Sequence, residues 1–192
     1  MKDSKLYRVL RPLIKLFTNC FLHPKYEGLE NIPNDGSVVL AGNHTNYLDC
    51  AVLISSTKRS IHFLAKDELW KGTKKIIFSN MGLIPVNRRQ KDPSALLSAK
   101  EYLKNNSVIG IFPEGTIKKD IELLPFKIGA VKMAYDTNTC IVPFAITGKY
   151  KLFSRTLKIT FGKKIEIKNN DLTKENERLR KIIKNMIKKE GR

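Results

Sequence analysis

The chain has 192 residues, 42% hydrophobic and 28% charged, enough for one α/β domain with a real core and too few for two. Lys and Arg total 36 against 18 acidic residues, a formal net charge of +18, so the surface attracts polyanions: nucleic acid, anionic lipid or an acidic carrier protein. Three widely separated cysteines, Cys20, Cys50 and Cys140, with no Cys-x-x-Cys pair, speak against a disulfide framework or a zinc site and fit a cytosolic chain.

Leu6 to Leu22 is apolar but interrupted by Arg8, Arg11 and Lys15, which form one basic stripe on a helix, continued by Asn19. The segment is too charged and slightly short to span a hydrocarbon core, and no small-residue cleavage site follows it. It fits an interfacial helix with basic residues at anionic headgroups; an amphipathic helix packed on its own domain shows the same pattern. Pro12 predicts a bend or a break.

Gly28 to Gly36 is turn-rich and leads to a first core strand, Ser37 to Ala41. Gly42-Asn43-His44-Thr45-Asn46-Tyr47-Leu48-Asp49 follows, and the apolar segment Cys50 to Ile54 then starts a helix. Residues five apart on one ideal helix point roughly 140° away from each other. His44 and Asp49 can therefore meet only if His44 lies on the turn and Asp49 in the first helical turns. An Asp so placed fixes the imidazole tautomer and stabilises the imidazolium, leaving the other ring nitrogen as a general base near neutral pH. Alone the pair is weak, because a hydrogen-bonded His at any helix N-terminal turn gives the same spacing. Cys50 could be proposed as a nucleophile, but its apolar context favours an inert buried thiol.

A second strand is expected at Ser60 to Ala65, then a helix opened by Asp67 and carrying Leu69, Trp70, Ile76, Ile77 and Phe78. Gly82 to Arg89 is a short apolar strand ending on Arg88 and Arg89, which suit either a bidentate phosphate contact or plain solvation. Asp92-Pro93 starts a crossover helix with its body over Ser94 to Leu103. The buried strand Val108 to Phe112 runs into Pro113-Glu114-Gly115-Thr116, which sets a carboxylate, a glycine and a hydroxyl where open α/β sheets place their ligands. Pro-x-Gly is also ordinary turn punctuation. Leu124 to Ala130 opens another helix with Lys127 in its first turn, disfavoured by the helix dipole unless the lysine faces an anion. Cys140 to Ile146 is an apolar strand in which Pro143 predicts an edge position or a bulge. Leu157 to Phe161 and Lys164 to Ile167 read as strands exposed on one face, and Leu172 to Lys189 as a helix with a solvated basic face.

Four of these blocks, in this order, resemble the glycerophospholipid acyltransferase family, in particular its bacterial 1-acylglycerol-3-phosphate acyltransferases. They are Asn43-His44 with Asp49, Gly82 to Arg88, Phe112-Pro113-Glu114-Gly115-Thr116 and Ile141-Val142-Pro143-Phe144; Pro125-Phe126-Lys127-x-Gly129-Ala130 resembles a further family feature. The resemblance implies an α/β fold, a single domain with a mostly parallel mixed sheet flanked by helices. Residues 1–24 would be an N-terminal amphipathic membrane-associating helix and 25–192 the acyltransferase catalytic domain. It implies transfer of a fatty acyl group from a thioester of coenzyme A or acyl carrier protein to the sn-2 hydroxyl of 1-acylglycerol 3-phosphate, giving phosphatidic acid. His44 would be the base and Asp49 its orienting partner, with Asn43, Arg88, Glu114, Gly115 and Thr116 at the substrate. The implied partners are a lysophospholipid acceptor, the thioester donor and an anionic membrane surface, at the cytoplasmic face of the cell membrane, peripheral or monotopic. No cofactor or metal is implied.

One position departs from the family. Members usually carry Arg directly after the third block, where this chain has Ile117, so either Lys118 or Lys127 supplies the charge or the phosphate pocket differs. The absence of a Gly-x-Ser-x-Gly elbow leaves an acyl-serine route without support. Acyl transfer to glycerol 3-phosphate or another lysolipid is the nearest alternative. A basic nucleic-acid-binding module is more distant, since aromatic residues are only 8% and no helix-turn-helix, ribonucleoprotein or zinc pattern is present.

Overall fold

The computed structural model describes residues 5–70, 74–87, 93–117 and 122–190. Its centre is a seven-stranded sheet. The strands are β1 (Lys25–Glu27), β2 (Val38–Gly42), β3 (Ile61–Lys66), β4 (Ile84–Val86), β5 (Val108–Ile111), β6 (Cys140–Thr147) and β7 (Lys158–Phe161). Their order is β1-β7-β6-β2-β5-β3-β4, and every pairing is parallel except β6 with β7. The helices are α1 (Lys5–Phe17), α2 (Asp49–Ser56), α3 (Lys74–Asn80), α4 (Ser94–Lys104), α5 (Gly129–Asp136) and α6 (Leu172–Glu190).

Strand β2 explains the layering. All five of its residues are buried, which is why it reads as an unbroken apolar run with no alternation. Side chains on a strand alternate faces, so Val38 and Leu40 join Tyr7, Leu22, Val52 and Leu53 of the α1/α2 layer. Val39 and Ala41 join Ala99, Leu103, Ala130, Leu179 and Ile183 of the α4/α5/α6 layer. Two cores thus lie on the two faces of one sheet, as the α/β expectation required.

Several sequence expectations are corrected. Strand β6 is interior, between β7 and β2, with Pro143 opposite Ala41, so the edge position expected from the proline is overturned while the alternative, a bulge, is found in its pairing. The sheet tolerates the proline by a one-residue slip: Phe144 faces Phe161, whereas Ile141 faces Ile165, and Gly162 N–H donates to the Pro143 carbonyl at 2.8 Å. Lys164 to Ile167 accordingly contributes only an isolated bridge at Ile165 and no full strand. Helix α5 begins at Gly129, so Lys127 precedes it instead of lying in its first turn. Its backbone N–H is drawn to the Pro113 carbonyl at 2.9 Å, which holds that segment out of the helix. The helix expected from Asp67 is split into a 3₁₀ turn, Asp67–Trp70, and α3. Helix α1 runs through Pro12 and continues as a π-type turn, Thr18–Leu22. Arg11 leaves the expected basic stripe and points inward, its Nε donating to the Thr57 carbonyl at 2.8 Å.

Gly42, the last residue of β2, lies directly against the Phe144 ring, and a Cβ there would overlap it. Gly42→Ala should cost about 1–3 kcal/mol by overpacking and lower the midpoint by about 2–4 °C for each kcal/mol. Thermal unfolding followed by circular dichroism checks this; an unchanged midpoint would mean that both the Phe144 ring and its backbone carbonyl give way.

Candidate active site

Parallel pairing of β2 with β5 puts the carboxyl ends of both strands on the same edge of the sheet. The loop after β2 carries His44 and the loop after β5 carries Glu114, so two sequence blocks about seventy residues apart become neighbours. Asn43 anchors the first loop sideways to β6: its Nδ2 donates to the Ile146 carbonyl at 2.8 Å, and its Oδ1 accepts from the Ile146 N–H at 2.7 Å. Glu114, also buried, anchors it on the other side. One carboxylate oxygen accepts from the His44 N–H at 3.1 Å and the other from the Leu124 N–H at 3.0 Å. Both residues were expected at the substrate; here these polar atoms bind backbone and fix where His44 sits.

Asp49 is the first residue of α2 and is 0% exposed. Its Oδ2 accepts from the backbone N–H groups of Thr45 and Asn46 at 2.7 and 3.0 Å and lies 2.8 Å from His44 Nδ1. Its Oδ1 accepts from the Thr45 hydroxyl at 3.2 Å and from the Tyr150 hydroxyl. The carboxylate therefore reaches back over the helix N-terminus to the imidazole, as the five-residue spacing required. The His44 ring stacks on Phe112, centroids 4.0 Å apart and planes 13° from parallel, and Phe112 meets Phe144 edge-on at 5.9 Å. With Nδ1 committed to Asp49, Nε2 is the ring nitrogen without a hydrogen-bond partner among the described residues. This arrangement can accept a proton from a hydroxyl and return it to a leaving group.

Gly115 turns the second loop with φ +70°, and its N–H donates to the Phe112 carbonyl at 2.9 Å. The Lys127 ammonium lies across it, 3.0 Å from where a Cβ of residue 115 would stand. Thr116 is exposed beside this turn. The structure thus brings His44, Asp49, Asn43, Glu114, Gly115, Thr116 and Lys127 to one edge of the sheet, while Arg88 and Lys118 lie outside the described residues. Sequence reasoning missed Tyr150. It comes from the loop after β6, 101 residues from the carboxylate it touches, and no motif surrounds it. Burial, then the charge of Asp49, pushes its hydroxyl far above the ordinary phenol range, so it remains a donor.

A buried carboxylate orienting an imidazole at the carboxyl ends of a parallel sheet is the architecture of an enzyme that works on a hydroxyl or an activated acyl group. The chain belongs to the Acyltransferase family, whose model matches residues 23–147. Among curated proteins it is similar to the 1-acyl-sn-glycerol-3-phosphate acyltransferase of Borreliella burgdorferi, 31% identical over 172 residues that cover 84% of this chain and 69% of that one. It is 34% identical over 150 residues to the chloroplastic 1-acyl-sn-glycerol-3-phosphate acyltransferase LPAT1 of Arabidopsis thaliana, covering 73% of this chain but only 41% of the plant protein's length. The crystal structure of the 1-acyl-sn-glycerophosphate (LPA) acyltransferase PlsC from Thermotoga maritima has the same fold, with a TM-score of 0.77 over 95% of this chain and 80% of that one, at 21% identity.

Cys50 follows Asp49 directly, and burial, then that neighbouring charge, pushes its thiol up to about 12. Cys140 is also raised, mainly by burial, whereas Cys20 is exposed. An unfolded thiol ionises near about 8.5, so above that pH the unfolded chain sheds a proton that folded Cys50 keeps, and rising pH favours unfolding. Iodoacetamide at mildly alkaline pH, read by peptide mass mapping, should modify Cys20 first and leave Cys50 intact until the chain unfolds. Rapid labelling of native Cys50 would contradict this environment.

Proposed function

We propose that this chain transfers a fatty acyl group from a thioester, on coenzyme A or acyl carrier protein, to the free sn-2 hydroxyl of 1-acylglycerol 3-phosphate, forming phosphatidic acid. The observation that carries the reading is the His44–Asp49 pair with Nε2 left for a ligand. In the proposed reaction, Nε2 takes the acceptor's hydroxyl proton while Asp49 holds the Nδ1–H and stabilises the imidazolium. The acceptor oxygen forms a bond to the thioester carbonyl carbon. The carbon–sulfur bond then breaks, and the thiolate, a good leaving group with a pKa near about 8.5, recovers the proton from His44. One base suffices, and no acyl-enzyme is required.

The acceptor's phosphate is assigned to the edge formed by Gly115, Thr116 and Lys127; Arg88 and Lys118, which the family resemblance also implies at the phosphate, lie outside the described residues. Lys127 is exposed, makes no ion pair among the described residues, and lies over the turn that Ile117 follows. It is therefore a suitable cation for the position where the family usually has Arg. The same departure at Ile117 favours a second acceptor, glycerol 3-phosphate or another lysolipid, as the competing reading. The chain would work at the cytoplasmic face of the membrane as a peripheral or monotopic protein. No helix among the described residues is long and apolar enough to cross a membrane, and the outward side of α1, with Val9, Leu13, Leu16 and Phe17 exposed, suits an anionic lipid surface.

Thiol release from palmitoyl thioesters of coenzyme A and of carrier protein, with and without lysophosphatidic acid, tests the reaction. Acceptor-dependent release should appear with at least one donor and disappear in His44→Ala; release that persists in that variant would remove the mechanism. Failure with both donors would send the search to a panel of other acceptors. Tyr150→Phe removes one donor from Asp49 without opening a cavity, and should lower kcat about tenfold, equivalent to about 1.4 kcal/mol, with KM little changed. An unaltered kcat would show that the remaining donors hold Asp49 without it.

A further inference from the structure

Residues 148–157 join β6 to β7 and are unusual in what they expose. Leu152 is 59% and Phe153 68% exposed. Phe153 also has φ +59°, a left-handed conformation that costs a bulky aromatic residue free energy and persists only where its surroundings enforce it. Those surroundings are the end of the N-terminal helical segment: the Phe153 N–H donates to the Phe21 carbonyl at 2.7 Å, its ring lies 5.7 Å from that of Phe21, and Phe21 lies 5.2 Å from Phe17. Leu13 and Phe17, one helical turn apart, extend the same apolar surface along α1. The fold thus spends strain on holding an aromatic side chain out in solvent beside a helix that is apolar on its outer side.

The charges around this surface are of one sign. Lys149, Lys151 and Arg155 are exposed and make no ion pair among the described residues. Neither residues 148–157 nor α1 contains an Asp or Glu. An apolar tip inside a rim of cations is complementary to the acyl–headgroup boundary of an anionic bilayer, where aromatic and aliphatic groups enter and basic groups stay at the phosphates. We propose that residues 149–155 are a second bilayer-docking element, seated beside α1, with Leu152 and Phe153 as the inserted groups and Lys149, Lys151 and Arg155 as the headgroup contacts. The proposal rests on the reading that the acceptor is a membrane lipid. It also gives the site an orientation. Tyr150, in the same short loop, touches Asp49, and Tyr47, 88% exposed, stands on the turn between His44 and Asp49. The catalytic edge would therefore lie at the bilayer surface, and an acceptor could present its glycerol hydroxyl without leaving the membrane.

Co-sedimentation of the full chain with vesicles of phosphatidylcholine alone, and of phosphatidylcholine mixed with phosphatidylglycerol, tests this. The double variant Leu152→Ser, Phe153→Gly should bind the mixed vesicles at least about tenfold more weakly than the parent. Its thermal midpoint should not fall, since glycine accepts the left-handed backbone. Lys149→Ala with Lys151→Ala and Arg155→Ala should weaken the preference for the anionic vesicles, the remainder coming from the other basic residues of the chain; an unchanged preference would overturn the headgroup contacts. Unchanged binding in the double variant overturns the proposal. So does a parent that binds neither vesicle, or a parent dimer in lipid-free sedimentation that the double variant dissociates, which would make the surface a contact between copies. Loop-dependent vesicle binding by a chain that releases no thiol with any acceptor would leave the docking element standing and remove the acyl-transfer reading instead.

Discussion

A carboxylate with no exposure to water is costly unless donors replace its hydration, and the site depends on how that is done at Asp49. Two donors are backbone N–H groups of the turn before α2, one is the Thr45 hydroxyl, one is the His44 ring and one is the Tyr150 hydroxyl. Each of these bonds also fixes something else. The backbone donors set the path of the turn, the imidazole bond sets the ring's orientation, and the tyrosine ties the turn to the loop after the carboxyl end of β6. Electrostatic need and the orientation of the imidazole are met by the same atoms. At the helix N-terminus the backbone dipoles further favour a negative group.

The sheet supplies the second constraint. Because β2, β5 and β6 run parallel as immediate neighbours, their carboxyl ends converge on one edge. The loop bearing His44 is then fastened on both sides by buried polar side chains, Asn43 toward β6 and Glu114 toward β5. Buried polar groups with fully engaged partners specify one arrangement of backbone. The stacking of His44 on Phe112, itself edge-on to Phe144, adds an apolar wall that limits rotation of the ring. An imidazole held this way loses little orientational freedom when a ligand arrives.

The outer face of the molecule follows different physics. The N-terminal helical segment faces two ways: Tyr7 of α1 and Thr18 and Leu22 of the π-type turn are buried at the domain, Val9, Leu13 and Phe17 of α1 are exposed, and Arg11 is an inward hydrogen-bond donor. The two alternatives left by its pattern, packing on the domain and facing a lipid surface, are therefore not exclusive. One face does the first, and the other is available for the second.

The sequence by itself determined what depends on local chemistry and period. The buried strands at Val38 to Ala41 and Val108 to Ile111, the crossover helix over Ser94 to Lys104, the basic C-terminal helix and the His44–Asp49 pairing were all legible, because apolar period, turn residues and i to i+5 geometry act over a few residues. Only the tertiary structure decided what depends on pairing between distant segments. The interior place of β6 despite Pro143, the short strand β1 beside β7, the exclusion of Lys127 from α5 by a bond to Pro113, the use of Asn43 and Glu114 as backbone clamps and the arrival of Tyr150 at Asp49 all arise there. In each case the partner is a backbone group or a loop residue many positions away, and a backbone donor or acceptor is the same in every sequence, so no pattern of side chains could announce it.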